Sequence, residues 1–426
     1  MSKKPLRVAI VGMSGFAQNH HSALRALENE GECHVVATCD PNPARLETEQ
    51  TSLDFSGRGV RIYDDYLTML DAHREELNMV CVPTPVPLHA PMHRACIERG
   101  LACYLEKPPT LFWKELEAMI EVDKSAPYAT QVGFNFIIED LRQQLKQRLL
   151  NGEFGRLQRA GFEGHWPRAT KYFERASWAG KLRLGHHLVL DSCTGNALSH
   201  YVHNLLFWCG RGEVLSWGEV LEVEAELYRA HAIESFDTAF ARGMCKSDSG
   251  TVEIRVAATH AGRGRSWQRE WFECENATIS YLMNEGYSIH WGDGRDEECS
   301  ASADGTKSSL TDNLRFYLQY LNGAQERPLT RLEDSRPFVH LSDLMLIAAG
   351  KITTINEAHL QHTPAPSGGE EVAITGIEDM IQSFAGDGRF PGETGVAWGR
   401  RGGRATAGDL ESLEAVVARM QSEATR

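Results

Sequence analysis

The stretch "LRVAIVGMSGFAQNHHSALRAL", Leu6 to Leu27, decides the fold of the first part of this chain. Leu6–Val11 is a short β-branched run ending at Gly12, the pattern of a buried parallel strand. Beyond Gly15 the apolar residues Phe16, Leu24 and Leu27 recur at near-helical spacing. Between them stands Gly12-Met13-Ser14-Gly15-Phe16-Ala17, a variant of the G-x-G-x-x-G turn with Ser14 in the second glycine position and Ala17 in the third. Gly12 permits the tight turn, and a small residue at 14 lets backbone approach a pyrophosphate. Ala17 allows the helix to pack close to the sheet, and the helix start directs free N–H groups and a positive end at phosphates.

Working outward, "CHVVATCD" (Cys33–Asp40) reads as the second strand, "LNMVCVPTP" (Leu77–Pro85) as another, and "LACYLEKP" (Leu101–Pro108) as the next. "APMHRACIERG" (Ala90–Gly100) is the helix between the last two, closed by glycine. Strands alternating with helices imply βαβ units and a doubly wound parallel sheet. Asp40 then falls at the end of strand two, where its carboxylate would accept hydrogen bonds from the adenosine ribose and repel a 2′-phosphate. That favours NAD over NADP. Thr84, Pro85, Glu106 and Lys107 fall at the carboxyl ends of later strands, the edge where open parallel sheets bind ligands.

At 426 residues the chain has room for two domains and a large core, and its 42% hydrophobic and 24% charged residues are those of a globular protein. A formal charge of -14 argues against a general polyanion binder, so no nucleic acid partner is expected. The ten cysteines include no Cys-x-x-Cys pair, which suggests a reducing compartment and no zinc ribbon. The apolar run in "MSKKPLRVAIVG" is too short for a signal segment, and no stretch is long enough to span a bilayer. A cytoplasmic protein with no membrane partner is expected.

The turn "VGMSGFAQNHHSAL", Asp40, "TPVPLH" (Thr84–His89), "EKP" (Glu106–Pro108), "VGFN" (Val132–Asn135) and "GEFGRL" (Gly152–Leu157), in that order, resemble the glucose–fructose oxidoreductase/inositol dehydrogenase/MocA-like family. The resemblance is strong over roughly the first 160 residues and continues more weakly to about residue 360. It implies a Rossmann domain over residues 1–133 and an α/β domain over 134–362 with a large, mostly antiparallel sheet that binds substrate and often forms subunit contacts. A homo-oligomer, dimer or tetramer, is the corresponding expectation. Residues 363–426 are left as a C-terminal extension.

The resemblance also assigns roles. Lys107 of the Glu-Lys-Pro segment would lie near the nicotinamide and contact the reacting hydroxyl, and Thr84 and Pro85 would contact the cofactor. The cofactor set is completed by Gly12, Ser14, Gly15, Phe16, Ala17, Asp40, His89 and Glu106. In "DSCTGNALSHYVHNLLFWCG" (Asp191–Gly210), counting back from Gly210 places His200 at the family histidine. Asn196 stands where the family has Asp, and His203 stands at the later acid. His200 as general base suits removal of a hydroxyl proton near neutrality, with the Lys107 ammonium stabilising the developing alkoxide. Glu106 could orient Lys107, and Asn196 could bind a neighbouring hydroxyl. The function implied is NAD-dependent hydride transfer at a secondary hydroxyl of a sugar, cyclitol or related polyol. An NAD-dependent glycosidase using transient oxidation, and a nonenzymatic NAD-binding sensor, are the alternatives.

His200 and His203 share a helical face near His186, His187 and Asp191, and His89 and His93 form a second pair at four apart. Imidazoles so spaced can bind a transition metal, but no motif supplies a third ligand and no metal is assigned. "HWPRATKYFERASWAGKLRLG" (His165–Gly185) interleaves aromatics with Arg and Lys. It could stack a sugar, with Tyr172 and Lys181 as substrate contacts, or be loop packing or a dimer contact. In the extension, "TPAPSGGEE" reads as a linker, Phe390 and Trp398 as apolar anchors, and "DLESLEAVVARM" as a capped helix with Leu410, Leu413, Val417 and Met420 on one face. Docking of this arm on its own or a neighbouring subunit is preferred over disorder.

Overall fold

The computed structural model describes residues 4–247, 250–301 and 309–424; Met1, Ser2 and Lys3 of the opening segment lie outside the described residues. The chain forms two compact units. The first takes in the described residues of Met1–Thr110, Lys114–Glu139 and Ala303–Ser335, and the second those of Leu111–Trp113, Asp140–Ser302 and Arg336–Arg426.

In the first unit the strands are β1 (Leu6–Val11), β2 (Cys33–Cys39), β3 (Arg61–Tyr63), β4 (Met79–Val82), β5 (Ala102–Leu105) and β6 (Gln131–Val132). Among the described residues they make one parallel sheet in the order β3-β2-β1-β4-β5-β6. Strand order reverses at β1, which pairs with β2 on one side and β4 on the other. The central strands β4 (MVCV) and β5 (ACYL) are unbroken apolar runs, as expected of strands in a sheet covered by helices on both faces. Helix α1 (Ala17–Asn29) buries Ala23, Leu24 and Leu27 against Val8, Ile10 and Val35, while Phe16, which the spacing placed on the same face, precedes the helix and is half exposed. Helix α2 (His89–Ile97) connects β4 to β5. A later helix, Ser309–Leu321, returns to this unit: Leu310, Leu314, Tyr317 and Leu321 enter the same core as α1.

The second unit contains the helices α3 (Asp140–Leu150), α4 (Ser199–Cys209), α5 (Arg336–Ala349), α6 (Ile377–Asp387) and α7 (Leu413–Ala424). Its strands are β7 (Leu157–His165), β8 (Glu219–Arg229), β9 (Thr238–Ser247), β10 (Gly250–Thr259), β11 (Trp267–Cys274), β12 (Ala277–Leu282), β13 (Gly286–Trp291), β14 (Asp296–Ser300), β15 (Ile352–Thr354) and β16 (Gly403–Thr406). They form a mixed sheet in the order β14-β13-β12-β11-β7-β10-β9-β8-β15, with β16 also pairing β8. Pairing is antiparallel except at β7–β10 and β8–β15. One face carries Phe162, which stacks on Tyr201 of α4 at 4.9 Å between ring centres.

The C-terminal extension docks on its own chain. Ile377, Ile381 and Phe384 of α6, with Phe390 and Trp398, pack against Tyr228, Phe240 and Ala257 of the sheet. Arg255 Nη1 donates to Ala385 O and Gly386 O, both at 2.8 Å, and Arg242 Nη1 donates to Gly388 O at 3.2 Å. Those carbonyls are the otherwise unsatisfied end of α6, so two sheet arginines cap the helix. Leu410, Leu413, Val417 and Met420 are all buried.

Candidate active site

The glycine turn leaves β1 at the strand-order reversal, where an open parallel sheet has its crevice. Gly12 adopts φ +110°, and a Cβ there would stand 3.3 Å from the Ala17 Cβ, so both small residues are needed for α1 to start this close. The Gly12 carbonyl is held by His21 Nε2 at 3.0 Å. Burial brings His21 down to about 4, so the ring is neutral near pH 7. Ala17, Gln18 and Asn19 donate back to Ser14, Gly15 and Phe16 carbonyls. The N–H groups of Ser14, Gly15 and Phe16 donate to no acceptor among the described residues. A phosphate fits such donors at a helix start. Phe16 is half exposed at the turn's tip. Asp40 sits at the end of β2, its N–H bonded to Tyr63 O and its Oδ1 accepting from Asn42 N at 3.0 Å.

Further along the same carboxyl edge, Thr84 and Pro85 follow β4, and Glu106 and Lys107 follow β5. The Lys107–Pro108 bond is cis. Glu106 is buried; its Oε2 accepts from Lys107 N at 2.7 Å and its Oε1 lies 3.3 Å from His20 Nε2. Gly133 of the "VGFN" segment leaves room for that carboxylate, since a Cβ there would meet Glu106 Oε1 at 3.0 Å. His89 is fully buried, with Nε2 2.7 Å from Thr84 O and Nδ1 2.9 Å from Pro108 O. It therefore braces the loop after β4 to the loop after β5. His93, the other member of that helical pair, is buried against Asp123 Oδ1 at 3.0 Å and Thr130 Oγ1 at 3.1 Å. Each imidazole has its own protein partners. No group of three His, Cys, Asp or Glu that could hold a metal occurs among the described residues.

In the second unit Asn196 lies in the turn before α4, with its carbonyl accepting from Ser199 Oγ at 2.6 Å. Asn196 Nδ2 donates to Asp191 Oδ1 at 2.9 Å, and Gly180 N donates to Asp191 Oδ2 at 2.6 Å. A carboxylate thus stands beside Asn196 through a side-chain bond that residue spacing does not reveal. His200 is half-buried in the first turn of α4. His203 is fully buried, its ring 5.0 Å from that of Trp217. Burial, with the Arg142 cation nearby, holds His203 well below the usual histidine range. His186 and His187 are exposed on a short hairpin.

The register of α4 is set from beneath by residues that sequence reasoning missed. Glu270 on β11 takes Arg142 of α3 in a bidentate pair at 2.6 and 3.0 Å, with both side chains buried. Asn204 Nδ2 and Trp208 Nε1 of α4 donate to the same carboxylate at 2.9 and 2.6 Å. Lys146 of α3, also buried, donates to Phe207 O and, at 2.5 Å, to Gly210 O at the end of α4. Tyr172 lies beside the Arg168 and Arg175 guanidiniums, 4.6 and 3.8 Å from its ring centre. Lys181 pairs with Glu234 at 2.9 Å.

Residues 6–134 match the model of an oxidoreductase family described by its NAD-binding Rossmann fold. Inositol 2-dehydrogenase 4 of Saccharopolyspora erythraea is 30% identical over 157 residues, which is 37% of this chain and 44% of that protein. D-apiose dehydrogenase of Paraburkholderia graminis is 27% identical over 152 residues, 36% of this chain and 38% of that protein. The chain thus spans less than half the length of these curated relatives. Among solved structures, the WlbA dehydrogenase of Chromobacterium violaceum in complex with NADH and UDP-GlcNAcA aligns with TM-score 0.65 at 21% identity, covering 82% of this chain and 94% of that one. The myo-inositol 2-dehydrogenase of Lactobacillus plantarum aligns with TM-score 0.61 at 19% identity over 80% of this chain and 96% of that one. These structures share the fold. No helix is long and apolar enough to cross a membrane among the described residues.

Proposed function

We propose, taking as premise that residues 6–134 belong to the oxidoreductase family with an NAD-binding Rossmann fold, that the whole chain is an NAD-dependent dehydrogenase of a sugar, cyclitol or related polyol. The observation that carries this reading is the shared carboxyl edge of the first sheet. It holds the uncommitted N–H groups after Gly12, the Asp40 carboxylate, Thr84 and Lys107 on neighbouring strand ends. The curated relatives named for dehydrogenation of inositol and apiose support the substrate class.

In this reading the N–H groups of Ser14, Gly15 and Phe16 would hold the pyrophosphate, and Asp40 the ribose hydroxyls. NAD, when bound, supplies the hydride acceptor. The Lys107 ammonium hydrogen-bonds the reacting oxygen and favours its negative form. His200 takes the hydroxyl proton. Asn196, oriented by Asp191, donates or accepts at a neighbouring hydroxyl. His89 and Glu106 act on the Lys107 loop from inside, one bracing it and the other holding the Lys107 N–H.

A screen of sugars and polyols with NAD, following NADH and product together, tests the reading. NADH formed in step with a ketone supports it; net hydrolysis without NADH, or NAD binding without turnover of any polyol, would sink it. Lys107→Met and His200→Asn should each lower kcat by about 10²–10⁴-fold, with NAD affinity changed by less than about threefold. Unchanged turnover removes the residue from the mechanism. Asp40→Ser should raise the use of NADP relative to NAD, because the charge repelling a 2′-phosphate is gone.

A further inference from the structure

The segment after β7 holds a cationic platform that the mechanism above leaves unused. The Arg168 backbone is clamped, with its N–H donating to His260 O at 3.1 Å and its carbonyl accepting from His231 Nε2 at 3.0 Å. Its guanidinium lies 4.3 Å from the Trp166 ring centre and 4.6 Å from that of Tyr172. Stacking engages the faces of a guanidinium and leaves its five in-plane N–H groups for acceptors. Yet Arg168 Nε is buried without a hydrogen-bond partner, and no carboxylate pairs with this side chain among the described residues. A half-buried cation in that position is held at a cost, which an anion would offset.

The surroundings do not supply that anion. Arg175 approaches the Tyr172 ring to 3.8 Å, donates to Tyr172 O at 2.7 Å and stands 3.8 Å from Asp191. Asp191 is already committed to Gly180 N and Asn196 Nδ2. The Asp237 carboxylate takes the His231 ring, two backbone N–H groups and the Thr238 hydroxyl. A tyrosine ring contacted by two guanidiniums is a poor stacking surface for a neutral sugar but a good base for an anion site. Through Asp191 and Asn196 the platform connects to the turn that precedes His200.

We propose that Arg168, supported by Tyr172 and Arg175, is a subsite for an anionic substituent, carboxylate or phosphate monoester, on the substrate. The proposal rests on the polyol reading above and narrows it to sugar acids or sugar phosphates. A planar guanidinium matches either group in a bidentate pair.

Calorimetric binding of D-glucose, D-glucuronate and glucose 6-phosphate to the full chain with NAD present tests it, because the probes share one ring form and differ in charge. At least one charged probe should bind about tenfold or more tightly than glucose, and which one does so separates carboxylate from phosphate. The preference should shrink with added salt, disappear in Arg168→Gln and persist in part in Arg168→Lys. Unchanged NAD affinity and thermal midpoint in Arg168→Gln show that the fold is intact; should that variant unfold, Arg175→Gln should still reduce the preference at least threefold. Equal binding of glucose, a preference that survives both glutamine variants, or no binding of either charged probe overturns the subsite. Hydride transfer from neutral polyols without charge preference would do so while leaving the dehydrogenase intact. Charge-selective binding without hydride transfer from any probe would keep the subsite and count against the dehydrogenase.

Discussion

Glu270→Ala is expected to be among the most damaging single substitutions in the second unit. Its carboxylate accepts four hydrogen bonds, two from Arg142 and one each from Asn204 and Trp208, and it is 1% exposed. Removing it takes the paired carboxylate from a buried guanidinium, at about 3–5 kcal/mol. Two buried N–H donors lose their acceptor as well, each at about 1–3 kcal/mol before relaxation. Because these terms overlap, about 4 kcal/mol or more is the expected total. For a unit of this size that lowers the thermal midpoint by roughly 8–16 °C. Replacing both charges, Arg142→Met with Glu270→Leu, should instead cost less than Glu270→Ala, since the desolvation of both ions is relieved together and only the Asn204 and Trp208 donors, at about 1–3 kcal/mol each, lose their acceptor. Calorimetry on wild type, Arg142→Met, Glu270→Leu and the double variant measures the coupling. The single variant should also lose turnover, because Asn204 and Trp208 share α4 with His200. A loss below about 1 kcal/mol in Glu270→Ala, or a double variant as unstable as the single, refutes this account of how α4 is held.

Three further outcomes follow from other parts of the chain. His21 is held at about 4, against 6.5 for an unconstrained histidine, so below pH 6.5 the unfolded chain takes up a proton that the native state refuses. Stability should fall by roughly 1.4 kcal/mol per pH unit between about 6 and 4.5, and His21→Gln should flatten that slope in unfolding curves. Chain terminated after Pro364 should be poorly soluble, because its partners lose Ile374, Ile377, Ile381, Phe384, Phe390 and Trp398, each worth about 1.5–3 kcal/mol when buried. More gently, Arg255→Ala should speed amide exchange in Ile377–Asp387 by removing the donor to Ala385 and Gly386, and unchanged protection would show that the cap is idle.

The first sheet was legible because its determinants are local. An apolar β-branched run ending in a glycine at positive φ, then a small residue facing it across a helix start, is written in consecutive letters from Leu6 to Ala17. Asp40, Thr84 and the Glu106–Lys107 pair take their positions at strand ends directly from that alternation. The helix Ser309–Leu321 shows the limit. Its spacing marks one apolar face, yet only the structure shows that this face packs with α1 rather than within the second unit. Apolar periodicity says that a face is buried but not against what.

Residue types and local spacing therefore determined the dinucleotide turn, the strand–helix order of the first sheet and the chemistry available along its edge. Tertiary structure alone decided that Glu270 gathers Arg142, Asn204 and Trp208, that Asp191 orients Asn196, that the C-terminal arm is capped by Arg255, and that no acid among the described residues pairs with Arg168. Steric and backbone preferences act between near neighbours in the chain. The pairing of a buried charge depends on which distant side chains the packed elements bring within hydrogen-bonding reach.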